Sequence, residues 1–188
     1  MKRTPAPPKV SSDHLSKLEV GKIVKAFMES VEEVLETMGM TRIEARTKAA
    51  TLTEHAYIKG DAAGSLAFTG DYSGLFIISF DKKAICEITT NMLFAEKPYT
   101  NHRDADVEGS IGELTNQMNG VARNKINKLN GWKANAGIPS VIVGENISWA
   151  LYASGTLVIH IPYTTPQMNE LYVEVAVSDH PTIGEIKI

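Results

Sequence analysis

The sequence predicts an α+β domain in which two long helices pack on an antiparallel β-sheet. Three observations predict it. Apolar residues recur at helical spacing in three separate stretches. Between and after them lie β-branched, alternating segments punctuated by glycine. No regular strand–helix–strand rhythm joins the two kinds, as a parallel sheet would require.

The first helix is read from Val20, Ile23, Val24, Phe27, Val31, Val34, Leu35 and Met38, which form one apolar stripe. Glu29, Glu32, Glu33 and Glu36 occupy its other face, and Gly39 is the expected stop. Strands are expected over Thr51–Ile58 and Gly64–Thr69, a turn over Gly70–Gly74, and a nearly continuous apolar strand over Leu75–Phe80. Asp81 then caps a second helix whose inner face is Ala84, Ile85, Ile88, Met92 and Leu93. A loop with Pro98 leads to a third helix over about Asp104–Leu129, with Asp104, Asp106 and Glu108 at its dipole-positive end. Beyond Pro139 the chain is β-rich, with strands expected at Ser140–Val143, Ile147–Ala153, Thr156–Ile161 and Glu170–Val177. The plan of helix, strands and helix, then helix and strands, suggests pseudo-repeated halves. Residues 1–12, with Pro5, Pro7 and Pro8, are expected to be a disordered leader, and residues 13–188 a single domain.

Composition narrows the function classes. The chain has 188 residues, 43% of them apolar, which suffices for a proper core. A formal net charge of −3 with scattered basic residues speaks against a nucleic-acid partner. No apolar run approaches the roughly 20 residues of a membrane helix, and no secretory signal follows Met1, so neither a membrane nor a secreted setting is expected. The single cysteine, Cys86, reads as a packed apolar side chain in a cytoplasmic protein. Glycine-rich phosphate loops are missing, and so is a serine-hydrolase elbow. The five histidines lack zinc spacing, and His102 with Asp104 and Asp106 does not make a calcium loop. No metal or cofactor of its own is therefore expected. Trp132 and Trp149 read as core or interface aromatics, and Tyr163-Thr164-Thr165-Pro166 as a loop between edge strands.

The third helix carries the chemical signal. Val107, Ile111, Leu114, Met118, Val121, Ala122, Lys125 and Leu129 form its core side. Opposite lie Gly109, Glu113, Asn116, Gly120, Arg123 and Asn127. Each glycine inside a helix costs about 1 kcal/mol relative to alanine, so two on a solvent face ask for a partner that comes close. Glu113 and Asn116 stand on one turn. The carboxylate suits a partner's cation. The neutral carboxamide can hold a water molecule without competing for its proton.

Ser110-Ile111-Gly112-Glu113-Leu114-Thr115-Asn116 with Gly120 resembles the signature helix of the CheC/CheX/FliY chemotaxis phosphatases. In that family Asp or Ser is followed by three residues, Glu, two residues, Asn, 22 residues and Pro. From Asn116, 22 residues lead to Pro139, and Ser140–Gly144 resembles the strand that follows. Gly64–Phe68 and Gly74–Phe80 extend the likeness, which covers roughly residues 20–178. One position departs: Gly109 stands where the pattern has Asp or Ser, with Ser110 one place later. A single motif makes the chain look more like CheX than the two-motif CheC.

The resemblance implies a CheC-like fold and an aspartyl-phosphate phosphatase acting on a CheY-like phosphorylated receiver. Asn116 would orient the attacking water. Glu113 would pair with the receiver's active-site lysine. From the outward helix face itself, Gly109, Gly120 and Arg123 are expected to contact the partner. Mg²⁺ would belong to the receiver, and a homodimer is expected. The rival is a non-catalytic receiver-binding or assembly module with the same fold.

Overall fold

The computed structural model describes residues 15–46, 51–53, 55–152 and 156–178. The expected leader, residues 1–12, lies outside the described residues, as does the side chain of Trp149. In chain order the elements are α1 (Lys17–Thr37), β1 (Glu44–Ala45), β2 (Thr51–Thr53), β3 (His55–Gly70), β4 (Gly74–Phe80), α2 (Lys82–Met92), α3 (Ala105–Asn130), β5 (Ala134–Ala136), β6 (Ser140–Tyr152), β7 (Thr156–Thr164) and β8 (Glu170–Ser178).

Local chemistry starts and stops the helices where the sequence suggests. Ser16 and Glu19 form a capping box on α1, satisfying two otherwise orphaned N–H groups. Asp81 caps α2 by accepting from the Ala84 amide at 2.6 Å. Asp104 caps α3, and Gly131, at φ +68°, ends it in the left-handed conformation. Helix α1 ends at Thr37 with Met38 as its C-cap, directly before the expected stop at Gly39, and the left-handed conformation that follows falls on Met40, at φ +47°.

The strands form one antiparallel sheet in the order β1–β7–β8–β4–β3–β5, with β2 also on β7 and β6 also on β3. Two hairpins, β3–β4 and β7–β8, meet through the β4–β8 pair at the centre of the sheet. Two expected breaks are absent. The expected segment 51–58 is divided, with Thr51–Thr53 forming β2 on β7, and residues 55–58 and 64–69 are not separate strands, because β3 runs unbroken from His55 to Gly70 with a bulge between Gly60 and Ala62. Likewise β6 is one strand from Ser140 to Tyr152, bending at Asn146, which takes φ +49°. Asp61, in the bulge, ties it to the bend of β6 and to the start of α2: its carboxylate accepts from the Asn146 amide at 2.9 Å and from the Lys82 amide at 3.0 Å. Nor is Tyr163–Thr164 a loop. Both residues end β7, and Tyr163 is fully buried.

Helices α1 and α3 lie together on one face of the sheet, and their inner stripes make the core with the strands below. Phe27 of α1 stacks on Phe68 of β3 at 5.3 Å and on Phe76 of β4 at 5.1 Å. Burying an aromatic or aliphatic side chain of this size stabilises the fold by about 1.5–3 kcal/mol, and Val20, Ile23, Ile111, Leu114, Met118 and Ile126 join the same cluster. Lys125, assigned to the core side, snorkels instead: its amino group reaches Glu33 of α1 at 3.0 Å and Glu29 at 3.5 Å. Leu129 departs from expectation, being 63% exposed in the last turn, beyond the final core contact at Ile126.

Candidate functional site

The outward stripe of α3 is positioned by how closely its inner face sits on β3. A Cβ on Gly64 would lie 1.9 Å from Thr115 Oγ1 and 3.1 Å from Ile111 Cγ2, so only glycine lets the helix rest there. Thr115 is fully buried, and its hydroxyl donates to the Ile111 carbonyl at 2.7 Å. With Ile111, Leu114, Thr115 and Met118 held beneath, the side chains between them must point outward.

Glu113 and Asn116 are both exposed on that stripe, one turn apart. Gln117 donates through Nε2 to Glu113 Oε1 at 2.9 Å, steadying one carboxylate oxygen and leaving the other without a hydrogen-bond partner among the described residues. The Asn116 carboxamide makes no hydrogen bond among the described residues, so its donor and acceptor are both available. Gly109 and Gly120 flank the pair, and a Cβ on either would meet nothing within 4 Å. Nothing inside the fold therefore requires glycine at these two positions. Gly112 is nearer its neighbours, its Cβ position lying 3.5 Å from Val141 of β6.

The stripe lines neither of two sizeable cavities. One, of about 650 Å³, runs along α2 and is lined by Lys82, Glu87, Tyr99 and Asn169 among others. The other, of about 360 Å³, lies between Lys59, Asp61, Ile147 and Tyr172. An open convex helix face with a carboxylate, a carboxamide and bare glycine backbone suits a macromolecular surface better than a small molecule.

Two expectations change in detail. Ser110 does not replace the missing Asp or Ser: it is 3% exposed, and its hydroxyl donates inward to the Asp106 carbonyl at 2.8 Å. Arg123 is half-buried rather than fully outward, with Nε removed from water and unpartnered. Its charge lies close enough to Tyr72 to oppose the rise of that phenol, which burial pushes up to about 12. Tyr72 is itself held beside Trp132, their rings 5.8 Å apart. Helical spacing alone assigns this face uniformly to solvent. What it omits is the turn after β3, some 50 residues earlier, that carries Tyr72 against the helix.

Elsewhere, Cys86 is buried, and burial pushes its thiol up, with the nearby Asp104 and Asp81 charges adding to the effect. His102 is buried too, with Nε2 2.5 Å from the Gly144 carbonyl. Among the described residues no group of three or more His, Cys, Asp or Glu is placed to hold a metal, and no helix is long and apolar enough to cross a membrane. Sequence reasoning missed Gln117 and the Gly64–Thr115 seat. The i, i+4 spacing from Glu113 could have found Gln117; nothing local could have found the seat.

The family model for the chemotaxis phosphatase CheX matches residues 62–164, a span that includes the whole α3 stripe. Among solved structures, the chemotaxis protein CheX of Desulfovibrio desulfuricans is 25% identical with a TM-score of 0.72, over 84% of this chain and 99% of that one. A CheC-like superfamily protein from a Shewanella species is 25% identical with a TM-score of 0.74, over 84% of this chain and 97% of that one. The CheX of a CheX–CheY–BeF3–Mg²⁺ complex from Borrelia burgdorferi has the same fold, at 18% identity and a TM-score of 0.64, over 83% of this chain and 97% of that one. No curated protein matches the sequence significantly. The family match takes in more than half of the chain and the helix that carries Glu113 and Asn116, and the chain belongs to the chemotaxis phosphatase CheX family.

Proposed function

We propose that the protein hydrolyses the aspartyl phosphate of a phosphorylated, CheY-like receiver, with Glu113 and Asn116 as its working pair. The observation that carries this reading is their joint exposure on a helix face bordered by two open glycines. The B. burgdorferi CheX complexed with CheY, BeF3 and Mg²⁺ supports the class of partner.

In this mechanism α3 lies across the receiver's active site, and the glycines let the receiver's surface approach the helix backbone. Glu113 pairs with a receiver lysine and sets the register. Asn116 enters the site, where its Oδ1 accepts a hydrogen from water and aims the water oxygen at phosphorus. The new P–O bond forms as the bond from phosphorus to the aspartate oxygen breaks. The aspartate leaves as a carboxylate, and the proton lost by the water passes to the released phosphate or to solvent. A carboxamide suits this task because it remains neutral and does not bind the proton itself. The Mg²⁺ that screens the phosphoryl oxygens would be the receiver's, so the chain needs no cofactor of its own. Fixing the water in line removes an entropic part of the barrier.

A second reading, a receiver-binding or assembly module without catalysis, is favoured by Gly109 at the position where the family pattern has Asp or Ser. Phosphate release from a panel of phosphorylated receivers separates the two. Asn116→Ala is expected to bind the receiver normally and lose about 10²–10³-fold in single-turnover rate. Glu113→Ala should instead weaken binding and flatten its salt dependence. Near-wild-type turnover by Asn116→Ala refutes the catalytic role. Binding of receivers without any acceleration by the wild-type protein selects the module.

A further inference from the structure

The outward stripe of α3 is electrically polar along its length. From Gly109 to Asn124 its charged residues are Glu113 and Arg123 alone, ten residues apart. At the rise of an α-helix this puts a negative and a positive end about 15 Å from each other, with Asn116 between them, about 10 Å from Arg123. Lys125, two positions on, is already neutralised by Glu29 and Glu33 of α1. The Arg123 side chain makes no ion pair or hydrogen bond among the described residues. Its Nε is out of water without an acceptor, and the side chain as a whole is half-buried.

The Arg123 side chain is half-buried, and its charge lies near Tyr72, whose ring is held by Phe68 at 5.5 Å and Trp132 at 5.8 Å. A half-buried arginine has less rotamer freedom to lose on binding. Its planar fork matches a carboxylate through two parallel hydrogen bonds.

We propose that Arg123 is a specificity-determining contact that takes a carboxylate on the receiver's surface, about 10 Å from the phosphorylated aspartate. With Glu113 it fixes the direction in which the receiver lies along α3: a receiver docked the wrong way round places like charges against both ends. This rests on the α3 stripe being the receiver-docking face.

The test measures the affinity of the protein for receivers loaded with beryllofluoride and Mg²⁺, alongside turnover of phosphorylated receiver and a thermal melt. Arg123→Gln is expected to weaken binding about tenfold and raise KM by a similar factor with kcat unchanged. Arg123→Lys keeps the charge without the fork and should fall between. Arg123→Glu should bind worst and be rescued by reversing one acidic receiver residue to lysine. If Arg123→Gln binds as the wild type does and only melts lower, the arginine merely packs on Tyr72 and the proposal is overturned. Binding that depends on Arg123 without hydrolysis leaves the proposal standing and removes the phosphatase reading. Hydrolysis with indifferent binding does the reverse. Failure to bind any loaded receiver overturns both.

Discussion

Gly120 sits inside a helix where a methyl group would touch nothing, and this makes its cost measurable. Gly120→Ala is expected to stabilise the protein by about 1 kcal/mol, raising Tm by ~2–4 °C, while weakening receiver binding. Calorimetry checks the first effect and titration with a loaded receiver the second; a more stable variant with unchanged affinity would remove the glycine from the docking surface. At this scale the site was largely legible. Glu113 and Asn116 are local neighbours, and local spacing on a helix needs no knowledge of the rest of the fold. Arg123 was legible as a residue type on a face but not as a half-buried side chain, because Tyr72 reaches it from a turn far away in sequence.

Among the elements, α3 and β3 are fitted to each other at one point. Gly64→Ala would drive a methyl group into Thr115, and overpacking of this kind costs about 1–3 kcal/mol. Chemical denaturation should show that loss, and Thr115→Ala should relieve part of it, giving a non-additive double-mutant cycle. Strict additivity would mean that helix and strand do not share the contact. The helices were readable because capping residues and 3.6-residue periodicity are properties of consecutive positions. The long strands were not, since Gly60, Gly64 and Gly144 look like breaks in a one-dimensional reading. In the sheet, Gly60 borders a bulge and Gly64 seats a helix. Short β1 and β5 have no periodic signal at all; they exist because β7 and β3 offer them backbone partners.

The molecule as a whole decides the state of Glu174. This residue is fully buried on β8, and its Oε1 lies 2.9 Å from His160 Nδ1 of β7. Burial raises its carboxyl above the ordinary range, although His160 opposes the rise. A carboxyl that holds its proton more tightly when folded favours the folded state at low pH, and that contribution fades as pH climbs above the unfolded value of 4.5. Glu174→Gln should therefore gain stability relative to wild type as pH rises from about 4 to about 8. Urea unfolding across that range measures the difference, and parallel curves for the two proteins would show that the carboxyl does not titrate on unfolding.

By itself the sequence determined the three helices, the Asp81 cap of the second, the α+β class and the juxtaposition of Glu113 with Asn116, because each depends on residues close together in the chain. Only the tertiary structure decided that β3 and β6 run unbroken, that Lys125 is spent on α1 while the Arg123 side chain has no ion-pair partner among the described residues, and that the Glu174 carboxyl is buried in the sheet. The pairing and burial of a polar side chain depend on which distant segment folds over it, and local periodicity carries no record of that segment.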